Sequence, residues 1–241
     1  MSEPRIGKEF YEGDYFENRA TTHLTDHESP FQRYRVRKVL EIHPPGSADR
    51  VVDLGCGWGT FTFALAPRVR EIVGVDFSER SIEICTQRLR GEPRDNVRFV
   101  CADAGETGLG AGAYDVVVAA DLFEHLYPKD SARVAREAFR ILRRGGRFAV
   151  WTPHRGHFLE ALKARDILLK RDVTHVDYKS MEGMKRLLVG AGFDIEKAYY
   201  AESHLPGLRA LERVLLSVVP LLRRRIAVLG RKPARDRRQG F

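Results

Sequence analysis

The chain has 241 residues, with 41 Lys and Arg against 33 Asp and Glu, a formal net charge of +8. Ten basic and two acidic residues lie between Leu205 and Phe241, so the first 204 residues are neutral overall. This distribution excludes a protein that is basic throughout, as nucleic-acid coats are. A composition that is 43% apolar and 31% charged likewise excludes wholesale disorder. No apolar run approaches the ~18–20 residues of a membrane span. The opening Met-Ser-Glu-Pro-Arg lacks the apolar core of a signal peptide. Cys56, Cys85 and Cys101 are too few and too irregularly spaced for a disulfide framework or a zinc site. A cytoplasmic protein is expected.

In chain order, residues 1–44 form an aromatic-rich lead-in that ends in a helix near Ile42. Strands are predicted at Arg50–Leu54, Glu71–Asp76, Val97–Cys101, Tyr114–Ala119 and Arg147–Thr152. Each is nearly all apolar without alternation, the pattern of strands buried on both faces. Helices are predicted at Ser78–Leu89, with Ser78 as N-cap, and at Asp130–Leu142, stopped by Gly145-Gly146. A helix near Met181–Val189, a sixth strand at Phe193–Tyr200 and a last strand at Ile226–Leu229 follow. Short strands alternating with helices signal a parallel sheet covered by helices. Residues 45–204 read as the core, and 205–241 as an amphipathic helix, the last strand and a basic tail of the same domain.

The first strand runs into Asp53-Leu54-Gly55-Cys56-Gly57-Trp58-Gly59, where glycine permits positive φ and a close backbone approach to a ligand. Asp76 ends the second strand 21 residues after Gly55, the spacing at which a doubly wound fold sets a carboxylate on ribose hydroxyls. Asp103 follows the third strand and is suited to an adenine amino group. A dinucleotide is the rival ligand. Asp53 would sit badly against a pyrophosphate, and Gly59 comes one residue early for the dinucleotide spacing.

DLGCGWG, VGVDFS, FVCADA, YDVVVAADLFEHL and ILRRGGRFAVWTP resemble the successive motifs of class I S-adenosylmethionine-dependent methyltransferases, over about residues 50–152. The resemblance implies a Rossmann-like α/β fold: a doubly wound, mostly parallel seven-stranded sheet with helices on both faces. It implies S-adenosyl-L-methionine as cofactor. Asp53, Gly55, Cys56 and Gly57 would flank its methionine part and Asp76 would hold the ribose. Phe77 would pack on the adenine, Asp103 and Ala104 would hold its edge, and Asp121 would lie near the sulfonium.

Methyl transfer from a sulfonium is an in-line displacement in which the protein supplies alignment and, for a hydroxyl acceptor, a base. Candidate bases are His125, His154 and His175, the last with Asp177 as orienting carboxylate. Tyr11, Tyr15 and Tyr178 are candidate acceptor contacts. Asp121-x-x-Glu124-His125 is also similar to the acidic-x-x-Glu-His segment of ubiquinone-biosynthesis O-methyltransferases, which is associated with a divalent metal. Asp replaces Glu at its first position and the same letters recur in metal-free relatives, so no metal is assigned.

The place after the fourth strand reads Ala-Ala-Asp-Leu-Phe rather than Pro-Pro-aromatic, which removes support for nucleobase amino methylation. The expected acceptor is therefore small or lipid-like, with oxygen favoured over nitrogen by the candidate histidine bases. The 205–225 stretch, apolar on one face and flanked by arginines, suits peripheral contact with an anionic membrane. The alternative is an RNA or protein methyltransferase that binds its macromolecular substrate through the basic C-terminal segment. The oligomeric state is not legible from the residues.

Overall fold

The computed structural model describes residues 29–154, 174–202, 219 and 223–234. Its seven strands are β1 (Arg50–Leu54), β2 (Glu71–Asp76), β3 (Val97–Cys101), β4 (Tyr114–Ala120), β5 (Leu142–Pro153), β6 (Asp194–Ala201) and β7 (Arg225–Arg231). They form one sheet in the order β3-β2-β1-β4-β5-β7-β6. The first five pair in parallel, and β7 runs antiparallel to both of its neighbours. The order reverses between β1 and β4, which opens a crevice at the carboxyl edge where doubly wound sheets take ligands.

The helices are α1 (Pro30–Ile42), α2 (Thr60–Leu65), α3 (Glu79–Gly91), α4 (Pro128–Ile141) and α5 (Met181–Gly190). Sequence signals account for their starts. Ser29 caps α1 by accepting the Gln32 N–H, with Pro30 at the first helical position. Ser78 caps α3 and Ser180 caps α5 in the same way.

The apolar strands read as they do because alternate residues feed two cores. Val52, Val73, Val117 and Phe148 join one with Val134, Ile141 and Met184, from α4 and α5. Val51, Ile72, Val118 and Trp151 join the other with Tyr34, Ile42 and Phe61, from α1 and α2. A fully buried Val or Ile contributes about 1.5–3 kcal/mol, so both faces are strongly committed. The outer strands depart from expectation. Only Val97 of β3 is buried, and β6 is half-exposed over most of its length, because each lies at an edge of the sheet.

Of the boundaries that moved, two strand starts matter most. β5 begins at Leu142, not Arg147: Gly145, at φ +78°, donates to the Lys232 carbonyl and Gly146 accepts from Lys232, so the glycine pair carries the ladder onward. β7 begins at Arg225, one residue before the predicted strand and inside the segment read as helix-flanking surface.

Candidate active site

The glycine turn after β1 is pinned to the end of β2. The N–H groups of Gly55 and Cys56 both donate to the Val75 carbonyl, at 2.8 and 3.0 Å. Gly55, Gly57 and Gly59 all take positive φ, +70°, +50° and +76°. Gly57 is the open one: a Cβ there would have no protein atom within 4 Å, so the backbone bares a cradle at that point. At Gly55 a Cβ would stand 2.8 Å from Leu122 Cδ1, which locks the turn against the residue after Asp121.

Asp76 is 9% exposed. Its Oδ2 accepts the Gly57 N–H at 2.9 Å and its Oδ1 accepts the Ser78 N–H at 3.0 Å, so one carboxylate ties the first two loops together. Phe77 next to it is exposed. Asp103 is exposed and caps its own loop by accepting the Gly105 N–H at 2.6 Å, with Arg133 at 3.2 Å. Ala104 packs at the margin of the core. Asp53 is buried and accepts a 2.7 Å bond from the Thr62 hydroxyl. Burial pushes its carboxyl up to about 6 against that hydrogen bond. Burial also pushes the Cys56 thiol up. The third cysteine differs from expectation: Cys101, at the end of edge strand β3, is exposed.

Asp121 occupies a left-handed backbone, φ +54°, the one non-glycine residue at positive φ among those described. Its Oδ2 accepts from Nε and a terminal nitrogen of Arg35, at 2.9 and 2.5 Å, and its Oδ1 accepts from Arg225. Burial alone would raise its pKa, but the guanidiniums of Arg225 and Arg35 outweigh burial and hold it at about 2. Each cation rides on an aromatic ring: Arg225 lies 4.3 Å over Trp151 and Arg35 lies 4.9 Å over Phe61. Neither arginine was among the candidate residues. They come from α1 and β7, 86 and 104 positions from Asp121, and no local motif announces such a pairing.

Below this triad, Glu124 is buried and accepts from the Thr152 hydroxyl at 2.8 Å. Burial, helped by the nearby Asp121 carboxylate, raises it to about 8. Its backbone carbonyl accepts the N–H groups of Val176 and Asp177, which brings the 174–178 stretch against β4. His125 and His175 meet edge to face there, 4.8 Å between centroids. His125 Nδ1 lies 3.1 Å from the Thr174 carbonyl, and His175 Nδ1 lies 2.7 Å from the Tyr178 hydroxyl. The expected orienting carboxylate is corrected: Asp177 pairs with Lys179 at 2.5 Å, and the Tyr178 hydroxyl engages His175 instead.

His154 ends β5 and bridges to Lys179, its Nδ1 3.0 Å from the Arg223 carbonyl and its ring against Tyr200. Burial lowers its pKa. Tyr11, Tyr15 and nearly all of 205–222 lie outside the described residues.

The metal-type trio is not assembled, because both Asp121 oxygens are held by guanidiniums. Among the described residues, the potential ligand atoms that do gather within 4.8 Å belong to Glu124, His125 and His175. Also among those residues, no helix is long and apolar enough to cross a membrane.

A doubly wound sheet with this glycine turn, a carboxylate closing β2 and a crevice at the β1/β4 reversal defines a nucleoside-cofactor fold. Comparison with known proteins narrows it. The family described as "Methyltransferase domain" matches residues 51–146. A probable S-adenosylmethionine-dependent methyltransferase of Mycolicibacterium smegmatis is 32% identical over 166 residues, 69% of this chain and 60% of the relative. The magnesium-protoporphyrin O-methyltransferase of Rhodobacter capsulatus is 40% identical over 88 residues, 36% of this chain and 38% of that protein. The crystal structure of the YcgJ protein of Bacillus subtilis superposes with a TM-score of 0.65 at 17% identity, covering 83% of this chain and 99% of that one. Residues 51–146 are thus a methyltransferase domain, and the chain is similar over most of its length to S-adenosylmethionine-dependent methyltransferases. It spans about three fifths of the length of the mycobacterial relatives it matches.

Proposed function

We propose that the protein transfers the methyl group of S-adenosylmethionine to an oxygen, or a nitrogen, of a small or lipophilic acceptor in the cytoplasm. The observation that carries this reading is the linked cradle: an open positive-φ glycine at 57, hydrogen-bonded through its N–H to the Asp76 carboxylate. When bound, the cofactor supplies an electrophilic methyl on a sulfonium, transferred by in-line displacement.

Asp76 would accept from the ribose hydroxyls, Phe77 would cover the adenine, and Asp103 with Ala104 would meet its edge. The backbone of Gly55, Cys56 and Gly57 would line the methionine part, with Asp53 beneath it. Alignment then contributes much of the rate, which suits a site without a strong nucleophile. His125 and His175 would take the acceptor proton, with the Tyr178 hydroxyl holding His175 Nδ1 at 2.7 Å. His154 is the weaker base candidate, since burial disfavours its protonated form. A relative named as an O-methyltransferase supports the preference for oxygen. Peripheral membrane contact through 205–225 belongs to the same reading, as does acceptor contact by Tyr11 and Tyr15.

The test is calorimetric titration of S-adenosylmethionine into wild type and Asp76→Ala. Loss of charge-assisted bonds to two hydroxyls should weaken binding by about ten- to a hundred-fold. Unchanged affinity in a folded variant would sink the ribose assignment.

A further inference from the structure

We propose that the crevice rim beside Asp121 recognises an anionic group on the acceptor, a carboxylate or a phosphate monoester, with Arg225 as its main ligand and Arg35 beside it. The proposal rests on the methyltransferase reading and names the acceptor class for the same site.

Charge is the first argument. Two guanidiniums, 10% and 16% exposed, converge on the single carboxylate of Asp121. Glu124, the next carboxyl group along, is held protonated near neutrality by burial. Lys38 lies close by on α1, but it is bound to Glu202 and Glu41, at 2.5 and 2.6 Å. The buried Asp53 carboxylate, ionised above about pH 6, acts on Arg35 as well, so the guanidinium with the least counter-charge is that of Arg225.

Donor geometry is the second. Arg35 divides its N–H groups between Asp121 and the Gln32 side chain. Arg225 gives one terminal nitrogen to Asp121, its one acceptor among the described residues. Its side chain is 16% exposed, so a small part of it reaches the surface. A guanidinium fork with free donors matches the paired oxygens of a carboxylate or phosphate.

Position is the third. Leu122, adjacent to Asp121, touches the turn at Gly55, so the Asp121–Arg225 pair stands beside the proposed methionine subsite. Trp151 under Arg225, with Tyr34 edge-on to it at 6.3 Å, is buried and holds the guanidinium plane from the core side. A purely structural clasp between α1, β4 and β7 makes the opposite prediction, indifference to the charge of a ligand.

The experiment uses the full chain with and without saturating S-adenosylhomocysteine, and three probes that share one tail: octanoate, octyl phosphate and octanol. Calorimetry should show at least one anion binding about ten-fold or more tighter than octanol, the worth of a charge-assisted bond. The ratio between the two anions identifies the headgroup. Arg225→Gln should abolish the preference and Arg35→Gln should reduce it. Arg143→Gln, at the opposite edge of the sheet, should keep it. Circular dichroism and homocysteine-analogue affinity report whether each variant is folded. Should Arg225→Gln not fold, the wild-type comparison and the Arg35→Gln result decide. Equal binding of octanol and both anions to wild type overturns the proposal, as does a preference that persists in folded Arg225→Gln. Failure to bind S-adenosylhomocysteine would instead count against the methyltransferase reading, and the probes titrated into the free protein separate the two failures.

Discussion

Replacing Glu124 by Gln should stabilise the protein at neutral pH, by an amount that grows with pH. In the fold, burial and the Asp121 carboxylate raise Glu124 from an ordinary 4.5 to about 8. In the unfolded chain it ionises near 4.5. Between those values the folded state holds a proton that the unfolded state releases, so its stabilising contribution is complete below about pH 4.5 and is lost as pH rises to about 8. Each pH unit in that window costs about 1.4 kcal/mol, so at pH 7 the cost approaches ~3 kcal/mol. Glutamine has the same shape, keeps a carbonyl oxygen for the Thr152 hydroxyl and does not titrate. Urea denaturation of both proteins at pH 5, 6, 7 and 8 measures the difference. The gain should be small at pH 5 and should rise by up to about 1.4 kcal/mol per unit to pH 7. A gain independent of pH, or a loss of stability at pH 7, would refute the reasoning.

Two further outcomes are expected. Gly57→Ala should cost about 1 kcal/mol of stability, since its φ of +50° disfavours alanine but no protein atom obstructs the methyl. Cofactor affinity in calorimetry should nevertheless fall by about ten-fold or more, because the methyl fills the cradle. Asp121→Asn should lower stability by about 3 kcal/mol, leaving two guanidiniums nearly buried without a counter-charge, and Tm by roughly 6–12 °C. A melt within a degree of wild type would remove the triad as a structural element.

The central strands were legible because burial on both faces writes itself as unbroken apolar runs. Arg50–Leu54, Glu71–Asp76 and Val97–Cys101 fall where expected. The same reasoning overstated the burial of β3, because position within a sheet is not encoded in a strand's own letters. The glycine turn and Asp76 were readable as a local motif at fixed spacing. The Asp121 triad was not, because Arg35 lies in a helix that reads as amphipathic and Arg225 in a basic run that reads as surface. Antiparallel insertion of β7 between β5 and β6 turns Arg225 inward, and only tertiary pairing reveals it. For the histidines, local sequence nominated Asp177 as partner to His175, but a lysine two residues on competes for that carboxylate at 2.5 Å.

The sheet's direction reversal at β7 has a consequence for how such a protein can change. Because β7 runs against its neighbours, it starts at the edge where β6 finishes, so the chain departs at Glu202 and returns at Arg223 on one rim. The chain likewise leaves at His154, after β5, and returns at Thr174, which is bonded to His125 beside β4. Both pairs of end points lie beyond the last residues of β5 and β6. Doubling the length of such a segment costs only about 0.6 kcal/mol of closure entropy. The turns around Asp76 are short and bonded to one another, whereas the end points at His154 and Glu202 lie where a change of loop length costs little. Length changes between those end points are thus decoupled from the pairing of the seven strands.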